Sequence, residues 1–401
     1  MSSSSITRRA FAGLLAAAPA ALPQRPEKLT ISAIEAWPVR LVGEAGLRPP
    51  RFEGPYDPQR WRWRGPFAQL TSAIIVAVRT DQGIVGYGLG AGGAAATTII
   101  EGHLKHLLLG MDPRDTELLW RQMYSAAEAY GRGGVFVMAL SGVDNALWDV
   151  AGKAAGQPVY RMLGGSLKET APSYFTSANP AKGLELGFEH FKLPIRDGVF
   201  EGREGMQRIE DLLREARQTI GPERGLMIDC GSRWHDLAYT KEMARRLEDV
   251  RLDFIEEPLS PDDILGYAEL VREIDTTQIA SGEHEYTEHG FQMLFHHNAV
   301  EVVQPDVSWC GGVTALRRIA AMAHARNLPF IPHRGGSAYG LPLVLSSPSS
   351  PLAESFGTGD PAATDLMLAM TPRFENGFYF PSEKPGFGTE LTEELVRQHA
   401  R

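Results

Sequence analysis

Five short apolar runs between Gly225 and Arg334 each end in a group that could do chemistry. Leu226-Met227-Ile228 leads into Asp229, Phe254-Ile255 into Glu256, and Ile279-Ala280-Ser281-Gly282 into Glu283. Val302-Val303-Gln304-Pro305 leads into Asp306, and Phe330-Ile331-Pro332 into His333. The five groups follow one another at intervals of 27, 27, 23 and 27 residues. Three consecutive carboxylates brought together form an oxygen-only ligand set, which suits Mg²⁺ better than zinc or copper. A single carboxylate at a strand end is usually a cap or a surface charge, so the register of all five carries the inference.

The elements that must position them follow from the pattern between the runs. Stretches 239–250 and 313–325 have helical periodicity, and a strand, polar tip and helix repeating at this interval reads as the βα units of a parallel barrel. In such barrels the reactive side chains gather at the carboxyl ends of the strands. Upstream, 29–42, 71–79 and 84–89 read as antiparallel strands, the last two joined by Asp81-Gln82-Gly83. Helices are expected over 97–110, 113–127 and Val135–Ala155.

With 401 residues and 43% apolar content, the chain can bury a barrel core and a smaller domain. The net charge of −9 offers no basic stripe for phosphates and excludes nucleic acid as the expected partner. The only cysteines, Cys230 and Cys310, fall at the ends of non-adjacent units, so buried free thiols are expected.

Residues 1–26 read as a targeting segment. Thr7-Arg8-Arg9-Ala10-Phe11 is a twin-arginine pattern, followed by a short Ala-rich run and the small-x-small site Ala18-Pro19-Ala20. Export by the twin-arginine route to a periplasmic or extracellular location is therefore expected, with no membrane association after cleavage. A long connection, 43–67, carries Arg48, Arg51, Arg60, Arg62 and Arg64 with Trp61 and Trp63. It reads either as a lid whose guanidinium groups bind a substrate carboxylate or hydroxyls, or as a solvated basic loop.

The stretch from Met138 to Lys153, followed by Gly156-Gln157-Pro158-Val159-Tyr160-Arg161-Met162-Leu163-Gly164-Gly165, resembles the domain-joining signature of the mandelate racemase/muconate lactonizing branch of the enolase superfamily. Within that branch, Ser281-Gly282-Glu283-His284, Gly187-Phe188-Glu189-His190-Phe191-Lys192-Leu193-Pro194 and the run Gln304 to Gly312 are similar to the rhamnonate dehydratases, a group of acid-sugar dehydratases. The resemblance implies an α/β fold, a modified (β/α)7β TIM barrel with an N-terminal α+β capping domain. It would place the capping domain at 27–160, completed by 371–401, and the barrel at 161–370, with 170–177 and 188–195 as its first two strands and 352–356 as its last. It implies Mg²⁺ on Asp229, Glu256 and Glu283, with the first glutamate of Glu256-Glu257 as the ligand. His333 would be the general base and Asp306 its hydrogen-bonded partner. Glu354 matches a glutamate that approaches the substrate carboxylate in mandelate racemase. Lys192 and His284 are expected to contact substrate, as is Arg334 at the barrel mouth. Members of the family are commonly oligomers, so a homo-oligomer is expected.

The sequence departs from the family's patterns at three points. Lys192-Leu193-Pro194 stands where many members have Lys-x-Lys, whose second lysine is a base. Asp229-Cys230-Gly231 lacks an asparagine two residues after the aspartate. His333-Arg334-Gly335-Gly336-Ser337 replaces the His-Gly-Ser-Ser of rhamnonate dehydratases. With one base, the expected reaction on an aldonic acid is removal of the C2 proton and loss of the C3 hydroxyl on the same face, giving a 2-keto-3-deoxy acid. A racemase or epimerase, or a non-catalytic exported sugar-acid binding protein, are the alternatives. His296 and His297 lie on a helix and are expected to be structural or superficial.

Overall fold

In the computed structural model, residues 28–41, 73–355 and 363–400 are described. The twin-arginine segment and the arginine-rich connection lie outside them. The N-terminal sheet is antiparallel, in the order β1 (Ile31–Pro38), β2 (Ile74–Thr80), β3 (Val85–Gly90). Gly83 turns β2 into β3 at φ 79°, which glycine takes without strain. Gly86, Gly88 and Gly90 share one face of β3, and helix Val135–Ala155 lies directly on it. A Cβ on Gly88 would come within 2.1 Å of the Gly142 carbonyl oxygen, so only glycine permits this approach.

That helix is buried from Phe136 to Gly152, packed between the sheet and the barrel. Its polar residues are joints. Asn145 donates from Nδ2 to Leu89 O (2.8 Å) and accepts from Val313 N (3.1 Å). Asp144 accepts from Thr314 N (2.9 Å) and Oγ1 (2.7 Å), and Asp149 from Tyr87 N (2.8 Å) and Phe387 N (2.9 Å). Paired in this way, buried polar groups fix the two domains in one arrangement at little net cost.

The barrel strands β4 (Ala171–Thr176), β5 (His190–Pro194), β6 (Gly225–Asp229), β7 (Phe254–Glu256), β8 (Gln278–Ser281) and β9 (Val302–Val303) run parallel in sequence order. β10 (Ala353–Ser355) pairs in parallel with β4 and closes the ring. Helices such as Gly202–Ile220, Leu237–Arg246 and Gly312–His324 return the chain between strands. The seventh position differs from the expected strand: it consists of the parallel bridges Val303↔Phe330 and Asp306↔His333. Pro329 and Pro332 have no N–H to donate, which limits the ladder to those points. Two helical expectations also shift. The first helix starts at Gly93 and runs through one π turn (Ile100–Leu104) to Leu108, and the stretch from 239 divides into Leu237–Arg246 and a 3₁₀ turn, Glu248–Val250.

Inside the barrel, Tyr174, Met227, Phe254, Ala280, Val302 and Ile331 form an apolar layer. A strand's side chains repeat on one face every second residue. The next inward positions are therefore Thr176, Asp229, Glu256, Gln304 and His333, with Glu354 two residues after Leu352. The apolar floor thus fixes which groups line the mouth.

The tail was expected to return to the capping domain from 371. Instead the hairpin β11 (Phe374–Glu375) and β12 (Phe378–Tyr379) pairs antiparallel with β4. The tail meets the capping domain later, where Glu383 accepts from the Tyr160 hydroxyl (2.6 Å), Gly386 donates to Gln157 O, and Ala400 forms a bridge with Val39. Cys230 and Cys310 are free and buried, as expected.

Candidate active site

His333 sits at the seventh strand position with Nδ1 2.7 Å from Asp306 Oδ2. Asp306 is held in turn by Ser308, whose N and Oγ lie 2.6 and 2.5 Å from Oδ1. A carboxylate accepting from Nδ1–H fixes the imidazole orientation and leaves Nε2 for proton transfer. Nε2 faces Glu283 Oε2 at 3.4 Å and Glu354 Oε2 at 3.9 Å. Burial alone would lower the basicity of His333, but Glu283, Glu354 and the bond to Asp306 outweigh it, and its pKa is pushed up to about 9. Asp306 is held below the ordinary carboxylate range, because the imidazole and the Arg334 charge outweigh burial.

Lys192 is deeply buried. Its Nζ bonds both oxygens of Glu256 (2.8 and 2.6 Å) and Glu354 Oε1 (2.7 Å), and lies 5.4 Å from the Tyr174 ring centre. Glu354 also accepts from Thr176 Oγ1 (2.7 Å) and from the Arg334 N–H (2.8 Å). Gln304 Nε2 donates to Glu256 Oε2 at 2.7 Å, and its buried Oε1 has no hydrogen-bond partner. His284 Nδ1 lies 2.7 Å from Glu257 Oε1 and 3.5 Å from Glu283 Oε1. Trp309 packs between rings, 5.2 Å from His284 and 5.6 Å from His333, with the Arg334 guanidinium 5.8 Å away. His296 and His297 meet edge to face, ring centres 5.0 Å apart, at the end of their helix.

Asp229 and Glu256 are paired in register on adjacent strands, and Glu283 lies just past β8. Burial pushes Glu256 well above the ordinary range; Lys192 opposes this, while Asp229, Glu283 and Glu354 add to it. Glu283 is raised by burial, with Glu257 and Asp229 adding to it and His333 and His284 opposing. Mutual repulsion among buried carboxylates is what a divalent cation relieves, and an all-oxygen set with a spare amide oxygen fits Mg²⁺. Among the described residues, a second grouping is tighter: ligand atoms of Glu257, Glu283 and His284 lie within 4.8 Å of one another. That set includes a nitrogen, which suits Mg²⁺ less well than carboxylates alone. Glu283 belongs to both.

Thr176, Gln304, Glu257 and Trp309 had no assigned role in the sequence. For Thr176 and Gln304 the signal was present, since each lies two residues beyond an inward-facing apolar residue.

Residues 65–164 match the mandelate racemase/muconate lactonizing enzyme N-terminal domain, and 177–395 match the enolase C-terminal domain-like family. The L-rhamnonate dehydratase of Saccharopolyspora erythraea is 36% identical over 335 residues, covering 81% of this chain and 85% of that protein. The rhamnonate dehydratase of Gibberella zeae, solved with Mg, is 30% identical at a TM-score of 0.81, covering 94% of this chain and 98% of that one. The 3,6-anhydro-D-galactonate cycloisomerase of Zobellia galactanivorans is 26% identical at a TM-score of 0.78, covering 93% and 98%. This chain belongs to the mandelate racemase/muconate lactonizing branch of the enolase superfamily.

Proposed function

We propose that the chain is a Mg²⁺-dependent acid-sugar dehydratase, a hydro-lyase that converts an aldonic acid to a 2-keto-3-deoxy acid. The observation that carries this reading is the His333–Asp306 pair (2.7 Å) beside a cluster of buried carboxylates. The activity named for the L-rhamnonate dehydratase relatives supports it, and an L-rhamnonate-like acid is the first substrate to test. Asp229, Glu256 and Glu283 are the residues that would hold Mg²⁺. The cation supplies positive charge against which negative charge on the substrate carboxylate can develop.

The remaining roles fall to side chains. In its neutral form His333 takes the C2 proton at Nε2, and the resulting imidazolium is supported by Asp306 on Nδ1. The same Nε2–H then protonates the departing C3 hydroxyl, which leaves as water on the same face. Tautomerisation of the enol gives the ketone at C2 and a new C–H bond at C3. Lys192, fixed to Glu256 and Glu354, keeps Glu354 ionised beside the site. A racemase needs a base on the opposite face, and there β5 ends in Pro194. Screening the purified protein with Mg²⁺ against a set of aldonic acids tests this reading. Accumulation of a 2-keto acid supports it, and C2 epimerisation without keto acid contradicts it.

Export, and an absence of nucleic-acid and membrane partners in the mature protein, complete the proposal, together with a homo-oligomeric state. No helix among the described residues is long and apolar enough to cross a membrane. Changing Arg8 and Arg9 together to lysine is expected to leave the protein inside the cell with its N-terminal segment uncleaved, as read by fractionation and N-terminal sequencing. Wild-type protein found in the cytoplasm and starting at Met1 or Ser2 would contradict export.

A further inference from the structure

Glu256 closes β7 and is held by two side chains that each come from two strands away, Lys192 on β5 and Gln304 just after β9. Alternate strands supply one layer of a barrel interior, which is why these three meet. Each of them is 1% exposed. The backbone of Gln304 is fixed as well, because its N–H donates to Ser281 O (3.1 Å) at the end of β8. A Cβ on Gly282 would lie only 3.3 Å from Gln304 C, so the chain entering Glu283 runs close against it.

The hydrogen bonds to Glu256 are uneven between its two oxygens. An ionised carboxylate offers about four acceptor positions, two on each oxygen. Lys192 Nζ takes one on each, at 2.8 Å from Glu256 Oε1 and 2.6 Å from Oε2, and spends its remaining proton on Glu354 Oε1 (2.7 Å). Gln304 Nε2 donates to Glu256 Oε2 at 2.7 Å. A carboxylate only accepts, so the amide must present its nitrogen there. Among the described residues, Glu256 Oε2 therefore accepts two bonds and Oε1 one, and the open acceptor position is on Oε1. The amide makes no other side-chain bond, since Gln304 Oε1 is buried without a hydrogen-bond partner. An apolar side chain of the same shape would avoid that cost, so the gain from the amide lies in what it does to Glu256.

We propose that Gln304 sets the cation selectivity of the site: by occupying Glu256 Oε2 it holds Glu256 to one ligating oxygen, which favours Mg²⁺ over Ca²⁺. Mg²⁺ demands close, near-octahedral coordination, whereas Ca²⁺ accepts larger and more flexible sets, including carboxylates that bind through both oxygens. This rests on the reading of Asp229, Glu256 and Glu283 as the Mg²⁺ ligands, and it gives Gln304 a positioning role toward them.

The test measures the Kd of Mg²⁺ and of Ca²⁺ by calorimetry, without substrate, for the wild type, Gln304→Met and Gln304→Asn. Methionine keeps the length, has no donor and removes the unpaired amide oxygen. Asparagine keeps the amide but is one methylene short of Glu256. Tm in EDTA reports whether each variant folds, and methionine decides if asparagine leaves too large a gap. The Mg²⁺ Kd should rise about 10- to 100-fold, the usual result of losing an outer-shell partner. Ca²⁺ affinity should hold or rise, because both oxygens of Glu256 become available, so the preference for Mg²⁺ falls by that factor or more. Equal weakening of both cations would make Gln304 a plain support for Glu256, and no change in either would leave it without a role toward the metal. Both results overturn the proposal. Asp229→Asn, measured alongside, separates the two failures. If it leaves Mg²⁺ binding intact, the ligand set is wrong and the proposal falls with it. If it loses Mg²⁺ while Gln304→Met keeps the wild-type preference, the ligand set stands and only the role of Gln304 is rejected.

Discussion

Replacing His333 with asparagine is expected to abolish dehydration and C2 proton exchange together, a loss of at least about 10²–10⁴-fold, the usual contribution of a positioned base. Substrate and Mg²⁺ binding should persist, because neither needs the imidazole's basicity. Nδ1 is engaged by Asp306 and Nε2 faces the carboxylate cluster, so both proton transfers pass through one atom. Asp306→Asn should retain part of the activity, since the ring remains but its orientation and charged form are less well supported. Exchange that survives in His333→Asn and disappears in Lys192→Ala would move the base to β5 and restore racemisation as the leading function.

The second large effect concerns the metal. Asp229→Asn or Glu283→Gln should weaken Mg²⁺ binding by more than the roughly 10–100-fold that follows loss of an outer-shell partner, and turnover should fall with it. Glu257→Gln separates the two possible ligand groupings. If Glu257, Glu283 and His284 held the ion, Glu257→Gln would lose it and Asp229→Asn would keep it. Stripping the metal should also expose a pH dependence. In the metal-free protein His333 is held up to about 9, above its ordinary 6.5. Its stabilising contribution is therefore complete below about pH 6.5 and is lost as pH rises through about 9. Asp144 and Glu285, both pushed up to about 7 by burial, act in the same direction at lower pH. Protein in EDTA should therefore melt at a lower temperature near pH 9 than near pH 6, and an unchanged or rising Tm would contradict this.

Much of the site was legible because a barrel strand obeys a period of two. Each apolar run points alternate residues inward, so Asp229, Glu256 and His333 could be read as strand-tip groups before any coordinates. The domain-joining helix was legible for a different reason. Its unbroken burial demands small and apolar residues, and the few polar ones, such as Asn145 and Asp144, must meet fixed partners. What could not be read were contacts set by closure of the ring. Lys192 was read as a substrate contact, and nothing local announced that β10 pairs with β4 and brings Glu354 against its ammonium on one side while Glu256 holds it on the other. The hairpin Phe374–Tyr379 joined the barrel because β4 had an open position, which no local pattern in the tail announces. The left-handed turn at Arg334 was equally hidden, since only the bond from its N–H to Glu354 reveals it.

The most direct measurement is proton NMR of the wild-type protein with Mg²⁺ and a turned-over acid sugar in D₂O. A single base that removes the C2 proton and expels the C3 hydroxyl predicts a 2-keto-3-deoxy acid carrying one deuterium at C3 in a single configuration. Recovery of the starting acid with deuterium at C2, or of its C2 epimer, with no keto acid formed, would contradict the account.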